Sequence, residues 1–420
     1  MNMGETTYEI WKEKLDDFKE KTEAFYAGEV DKKEYKGFSG KYGSYAQRGG
    51  KASMLRLRFT GGIITKDKLK FVADSIEKHQ INLVHLTTCQ TVQLHNLNPS
   101  QVYDIMEHAL EHGIVTMGGG GDYPRNVTMP PLSGVEEEYF DVTPYAKAAG
   151  EYLLTFIEKE KMPRKLKVSF SNSPANISHA TFRDLGFAAR PDGKFDVYSA
   201  GGLGANPLFG IKVGEAVDPE MILYYIRAMW ETFRSYGNYE NRAKARTRYM
   251  QQTLGQEGYQ KAFKEKLDEV MASGEDLRIH KKQETISKTG DGTVAEGSQI
   301  IKQKQEGLYA VYYHPIGGSI NPSKFREIYQ VIKDMDQAEV RLSPDESMYI
   351  INLTGTEAKQ VQTITKDGAT TSLEESVACI GASICQVGVR DSQKLIKSIV
   401  EAVRASDLPG HVLPKLNISG

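Results

Sequence analysis

Alternation of apolar and polar positions marks the first strand: Met54 to Phe59 reads MLRLRF, which sets Arg56 and Arg58 on one face. Gly61-Gly62 then turns the chain, and Lys66 to Lys78 carries Leu69, Phe71, Val72 and Ile76 at helical spacing. Val84-His85-Leu86 is a short strand, Thr91 to Leu97 alternates as its hairpin partner, and Pro99 to His112 is a second helix ended by Gly113. Strand-helix-strand-strand-helix is the layout of a ferredoxin-like half. The pattern then returns. Gly61 to Leu97 reappears as Gly317 to Leu353 at a constant offset of 256, ungapped over 37 positions, with nine identities that include Gly61/Gly317, Gly62/Gly318, Asn96/Asn352 and Leu97/Leu353. Two copies are too few for a solenoid. They predict two halves packed about a pseudo-twofold.

Elsewhere the pattern is less regular. Trp11, Leu15, Phe18, Thr22 and Phe25 lie at helical spacing, so residues 1–36 read as one amphipathic helix packed on the body. Lys41 to Lys51 is a Gly/Tyr/Arg loop whose Arg48 is a surface charge or an anion contact. Gly118 to Gly121 is a four-glycine turn, open to unusual backbone angles or to close approach of a large ligand. Asp141 to Lys159 reads as a helix with Pro144 at N1, and Pro163 to Phe170 as a strand with Lys165 and Lys167 on one face. Phe195 to Gly204 is a strand running into glycines, and the following Ala205-Asn206-Pro207 opens no helix, which argues against a dinucleotide fingerprint. Asp218-Pro219 starts a long helix through Trp230. RAKARTR (Arg242 to Arg248) is a basic cluster, Gly258 to Ala272 is helical, and polar residues 273–305 read as a linker. The fold class is α+β: duplicated ferredoxin-like half-domains plus larger mixed α/β domains. The expected boundaries are an N-terminal helical arm and loop at 1–50, the first half-domain at 51–118, a mixed domain at 119–290, a linker at 291–308, the second half-domain at 309–370, and the start of a further domain at 371–420.

Composition narrows the classes. A formal net charge of -2 gives no global pull toward nucleic acid or lipid. No apolar run approaches the ~18 residues of a membrane span, and the N-terminus lacks the build of a signal peptide. Three cysteines, Cys89, Cys379 and Cys385, make no disulfide framework. The chain reads as soluble and cytoplasmic.

Three constellations carry chemistry. Cys379-Ile-Gly-Ala-Ser-Ile-Cys385 offers two thiolates to one cluster or soft metal, or else two buried structural cysteines. Arg56, Arg58, Arg125, Lys165 and Lys167 form an exposed basic sheet face or, if buried, need an anionic partner. His108-Ala-Leu-Glu111-His112 matches the H-x-x-E-H arrangement of inverted zinc peptidases, against the stronger reading of a solvent-facing helix.

Taken in order, MLRLRFTGGIIT, TTCQT, PRNV, PRKLK, the GGLG turn, NRAKARTRY and ACIGASIC resemble the motifs of the sirohaem and iron–sulfur nitrite/sulfite reductases, over about Tyr42 to Gly420. The resemblance implies a duplicated body holding sirohaem between its halves, with Arg56, Arg125, Lys165 and Lys167 holding and protonating a small oxyanion. It assigns Arg48, Arg58, Gln90, Thr91, Asn126, Gly202 and Gly204 to the macrocycle. Cys379 and Cys385 become two of four thiolates on a [4Fe–4S] cluster. It also implies six-electron reduction of sulfite (or nitrite) with ferredoxin or a similar donor, and no nucleic-acid or membrane partner. Two departures stand out. Cys89 occupies the family's usual arginine position. The family's second cysteine pair would follow LNISG, where this sequence stops, so the expectation is a naturally short or C-terminally truncated chain. A sirohaem- or anion-binding protein without catalysis is the alternative.

Overall fold

In the computed structural model, which describes residues 4–159, 161–280, 285–406 and 408–420, the chain opens with three helices. These are α1 (Gly4–Glu13), α2 (Leu15–Ala27) and α3 (Lys32–Ser39). The single helix expected over residues 1–36 is therefore corrected. The apolar period passes unbroken through Lys14, where α1 ends, and Gly28 closes α2 in a left-handed conformation at φ 87°. Trp11, Leu15, Phe18, Thr22 and Phe25 are all buried.

The first copy follows: β1 (Ser44–Ala46), β2 (Ser53–Arg58), β3 (Ile63–Ile64), α4 (Lys66–Lys78), β4 (Val84–Leu86), β5 (Thr91–Leu97) and α5 (Pro99–Glu111). Each helix start has a sequence cause. Thr65 Oγ1 accepts the Lys68 N–H at 3.4 Å, and Asn98 with Gln101 closes a reciprocal capping box on α5.

Residues Gly40–Tyr42 and Met117–Thr285, with the chain start, cluster as one compact unit. It holds α6 (Thr143–Leu154), then β6 (Val168–Ser171), β7 (Leu185–Ala189), β8 (Phe195–Ser199) and β9 (Ile211–Val217), then α7 (Ile222–Tyr236) and α8 (Tyr249–Ala272), the last kinked at Gly255. The strands form one sheet in that order, parallel only between β6 and β7. Phe170 stacks on Phe187 at 4.8 Å, and both meet Phe195 edge-on, so one phenylalanine from each of three strands joins an aromatic core.

The second unit, Tyr8–Ser39, Gly43–Thr116 and Ile286–Gly420, contains both copies. The later copy is β10 (Ile300–Lys302), β11 (Tyr309–Tyr313), β12 (Ser319–Ile320), α9 (Ser323–Ile332), β13 (Glu339–Leu342), β14 (Met348–Leu353) and α10 (Gly355–Ile364). β10 falls inside the stretch 273–305 that reads as linker. β15 (Val377–Ala378), α11 (Ser392–Arg404) and β16 (Asn417–Ile418) follow. The two sheets run β1-β2-β5-β4-β12 and β10-β11-β14-β13-β3. Each copy thus lends a two-residue strand to the other's edge, β12 to β4 and β3 to β13, which covers two edges at once. α4 packs on α9, and Arg326 bonds Asp74 and Glu77 across that seam.

The pseudo-twofold extends beyond the matched 37 positions. Gln47 accepts the Asn96 N–H at 2.8 Å and donates to its side chain at 2.9 Å. Gln303, 256 residues later, does the same with Asn352 at 2.7 and 3.1 Å. Asn96 and Asn352 both stand near φ +60°, as a left-handed Asn can.

Candidate active site

In the duplicated unit, strand pairing places Arg56 opposite Gln93, and Gln93 opposite His85. Opposed residues share a face, so Arg56, Gln93 and His85 form one polar row. The equivalent row in the second copy is Tyr312, Tyr349 and Arg341, and its two tyrosine rings close on each other at 5.0 Å. The two copies share a backbone and differ in chemistry at this row.

Over the first row lies a cleft of about 320 Å³, bounded by Arg56, Gln93 and His95 on one side and by Ile384, Cys385 and Gln386 on the other. Burial holds the Arg56 guanidinium below its ordinary value, with Cys89 and Tyr45 acting the other way. It remains a cation. His95 is 1% exposed, and neither ring nitrogen has a hydrogen-bond partner. Burial first, then His85 and Arg56, push it down to about 3, so its ring is neutral. An unsatisfied imidazole beside a buried guanidinium is costly unless something else meets it. Arg58 is 6% exposed, which removes the reading of β2 as an exposed basic face. Gln93 and His95 escaped the sequence reading. The signal was there: Thr91, Gln93 and His95 sit two apart on one strand.

The loop from Cys379 to Cys385 forms the far wall. Arg48 ties it down: its N–H donates to Ile384 O at 2.8 Å and its Nη2 to Gly388 O at 2.6 Å. Cys379 Sγ lies 3.1 Å from Ser392 Oγ and accepts the Gly420 N–H at 3.3 Å, while Gln393 donates to the Cys379 carbonyl at 3.2 Å. Cys385 lines the cleft. Gln90, by contrast, is fully buried at φ 53° and donates to Leu342 O at 2.6 Å, where it clasps the two copies together. Thr91 is buried with its hydroxyl 2.6 Å from that of Thr87.

In the unit that contains β6 to β9, Pro124 and Thr128 bridge to Leu166 and Ser169 in parallel. Arg125 and Asn126 therefore run beside Lys165 and Lys167. The Arg125 N–H donates to Leu166 O at 2.8 Å. Its guanidinium donates to the carbonyls of Gly118 and Gly121 at 2.8 Å each, and to that of Gly120, so the glycine turn wraps a cation. Lys165 is pushed down to about 7 by burial, then by Lys167, Arg246, Arg125 and Arg164. Every charged group in that set is positive. Gly202 and Gly204 stand over Arg248: an added Cβ at either would lie 3.4 Å from its guanidinium. Asn126 is 4% exposed.

The histidines of the H-x-x-E-H stretch take separate partners. His108 Nδ1 meets Asp104 O at 2.8 Å and His112 Nδ1 meets Asp67 at 2.8 Å. Among the described residues, no three His, Cys, Asp or Glu gather where they could hold a metal ion.

Two family models match. The nitrite/sulfite reductase ferredoxin-like half domain matches residues 45–112 and again 301–367, and the nitrite and sulphite reductase 4Fe-4S domain matches 120–271. Together they cover more than half of the chain. It belongs to the nitrite and sulfite reductase family. The segment matching the 4Fe-4S domain model contains no cysteine; Cys379 and Cys385 come after the second half-domain match. Among curated relatives, the chain is 24% identical over 381 residues to the chloroplastic ferredoxin–nitrite reductase of Arabidopsis thaliana, covering 85% of this chain and 62% of that one. It is 23% identical over 403 residues to the NADPH sulfite reductase hemoprotein beta-component of Geobacillus kaustophilus, covering 83% and 67%. The chain thus spans about three fifths of the length of the Arabidopsis relative. The solved Mycobacterium tuberculosis NirA protein shares the fold, with a TM-score of 0.76 at 22% identity over 96% of this chain and 78% of that one. Among the described residues no helix is long and apolar enough to cross a membrane.

Proposed function

We propose that this chain handles sirohaem and a small oxyanion in the six-electron reduction of sulfite or nitrite, with ferredoxin or a similar protein as donor. The observation that carries the reading is Lys165, whose amine is pushed down to about 7 by burial first and then by a crowd of cations. Such a group binds an anion when charged and can give up a proton near neutral pH. Arg125 and Lys167 supply further positive charge.

The residues fit an acidic macrocycle. A cleft of about 320 Å³ is small for a whole ligand pocket, and suits one carboxylate-bearing rim. Arg56 would pair with a carboxylate there, Gln93 and His95 would meet its oxygens, and Arg48 holds the opposite wall. Arg58 would add a second cation from the same strand face, whereas Gln90 and Thr91 are engaged inside the fold. When bound, sirohaem and a cluster supply the electron path. Cys379 and Cys385 would be two of the cluster's thiolates. Thiolates kept for cluster ligation suit a reducing compartment such as the cytoplasm.

The cysteine count favours a second reading, a sirohaem- or anion-binding chain without turnover, because a cubane takes four thiolates. Purification from a sirohaem-producing host separates the two. The reductase reading expects haem absorbance and reduction of sulfite or nitrite driven by a chemical reductant, with Lys165→Ala losing about 100-fold or more of turnover while keeping its colour. Haem absorbance without turnover selects the binding reading. A chain that stays colourless after reconstitution overturns both.

A further inference from the structure

One aspartate ties together two basic motifs and the glycine turn of the unit that contains Lys165. Asp184 is completely buried. Its side chain accepts the Lys167 N–H at 2.8 Å and both its oxygens lie 3.0 Å from Arg246 Nη2. It also accepts the Thr247 hydroxyl. Its main-chain carbonyl accepts the Ala200 N–H at 2.9 Å, and Ala200, at φ 59°, turns the chain into Gly201-Gly202. The lysine segment and the Arg242 to Arg248 cluster therefore meet on the Asp184 carboxylate, and the glycine turn on its main chain. A buried carboxylate of this kind holds its donors at fixed distances.

We propose that Asp184 is a positioning residue: by anchoring Arg246 and the Lys167 main chain, it sets how closely the cations crowd Lys165. The groups that face Lys165 are Lys167 and Arg164 on its own segment, Arg246 from the basic cluster and Arg125 from the glycine turn. Asp122 and Asp184 each anchor one of these cations. Asp122 holds Arg164 at 2.9 Å while also binding Arg242 at 2.6 Å, and Asp184 holds Arg246. Asp122 is thus shared between Arg164 and the exposed Arg242, whereas Asp184 is the carboxylate on Arg246. Removal of the Asp184 charge leaves Arg246 uncompensated beside Lys165, and removal of Arg246 relieves the crowding.

That the crowding serves catalysis rests on the function proposed above, but its test needs neither cofactor nor substrate. Competitive acetylation with acetic anhydride across pH, read by mass spectrometry at Lys165, gives the midpoint at which the amine loses its proton. The expected wild-type midpoint is about 7. Asp184→Asn lowers it by about half a pH unit or more, Arg246→Gln raises it by a similar amount, and the double variant returns toward wild type. A merely structural Asp184 would lower the unfolding midpoint and leave the Lys165 titration where it was. If Asp184→Asn fails to fold, Arg246→Gln decides alone. An unmoved midpoint in that variant overturns the proposal, as does an upward shift in folded Asp184→Asn. A chain that fails to reduce any oxyanion overturns the functional reading and leaves these shifts standing.

Discussion

Glu346 is the residue at which the two copies differ most consequentially. It sits 256 positions after Gln90, and both occupy a left-handed turn, at φ 53° and 66°. Gln90 clasps the copies with a neutral amide. Glu346 does so with a buried carboxylate that accepts the Ala378 N–H at 3.0 Å and lies 3.7 Å from His85 Nε2. Burial raises its carboxyl above the usual range, with Asp345 adding to the rise and His85 opposing it. The folded chain therefore keeps this proton after the unfolded chain has released it. Stability falls as pH climbs from the ordinary carboxylate range through the folded value. Glu346→Gln keeps an acceptor for Ala378 and copies the chemistry already present at Gln90. It is expected to stabilise the chain at pH 7 by about 1 kcal/mol and to have no effect at pH 3, where Glu346 is protonated in both states. Urea unfolding at the two pH values measures it. A loss of stability at pH 7 would mean the charged pair with His85 is worth more than its desolvation.

At the scale of elements, the exchanged strands β3 and β12 depend on glycine pairs that let the chain cross over. Gly62 (φ 75°) and Gly318 (φ 71°) are equivalents with unequal surroundings. A Cβ on Gly62 would lie 2.5 Å from the Leu342 main-chain oxygen. One on Gly318 would meet the Glu346 carboxylate at 2.7 Å and His85 at 2.9 Å, both side-chain atoms. Main chain paired in a sheet yields less than a side chain. Gly62→Ala should therefore cost about 3 kcal/mol and Gly318→Ala about half of that, by denaturant titration. Equal costs would show that the left-handed angle dominates and that the surroundings contribute little. The helices α4 and α9 and the longer strands were legible in the sequence because each carries a full apolar period. The exchange itself was not. Two-residue strands such as Ile63–Ile64 have no period to read, and Gly61-Gly62 reads as an ordinary turn.

Across the whole molecule, the duplication was legible because matched glycines and apolar positions persist at one fixed offset. The break at Lys14 was not, since the buried stripe from Trp11 to Phe25 continues through it. The Arg56 face followed from strand alternation, and the same alternation reaches Gln93 and His95. Asp184 was invisible for a different reason. An Asp between Arg183 and Leu185 reads as a surface charge until the fold brings Lys167 and Arg246 to it. The cysteines give a count that local pattern cannot improve. A [4Fe–4S] cubane takes four thiolates, and this sequence has three. Cys379 and Cys385 flank one loop, while Cys89 lies on the hairpin between β4 and β5 of the first copy and joins no metal-competent group of three among the described residues. The thiols of these 420 residues by themselves fill at most three of the four ligand positions. Anaerobic reconstitution with iron and sulfide should leave fewer than about four irons per chain after desalting, and Cys379→Ser should lower even that. Four irons and four sulfides per chain, with the low-temperature magnetic signature of a reduced cubane, would require a ligand other than thiolate and would overturn the count-based argument.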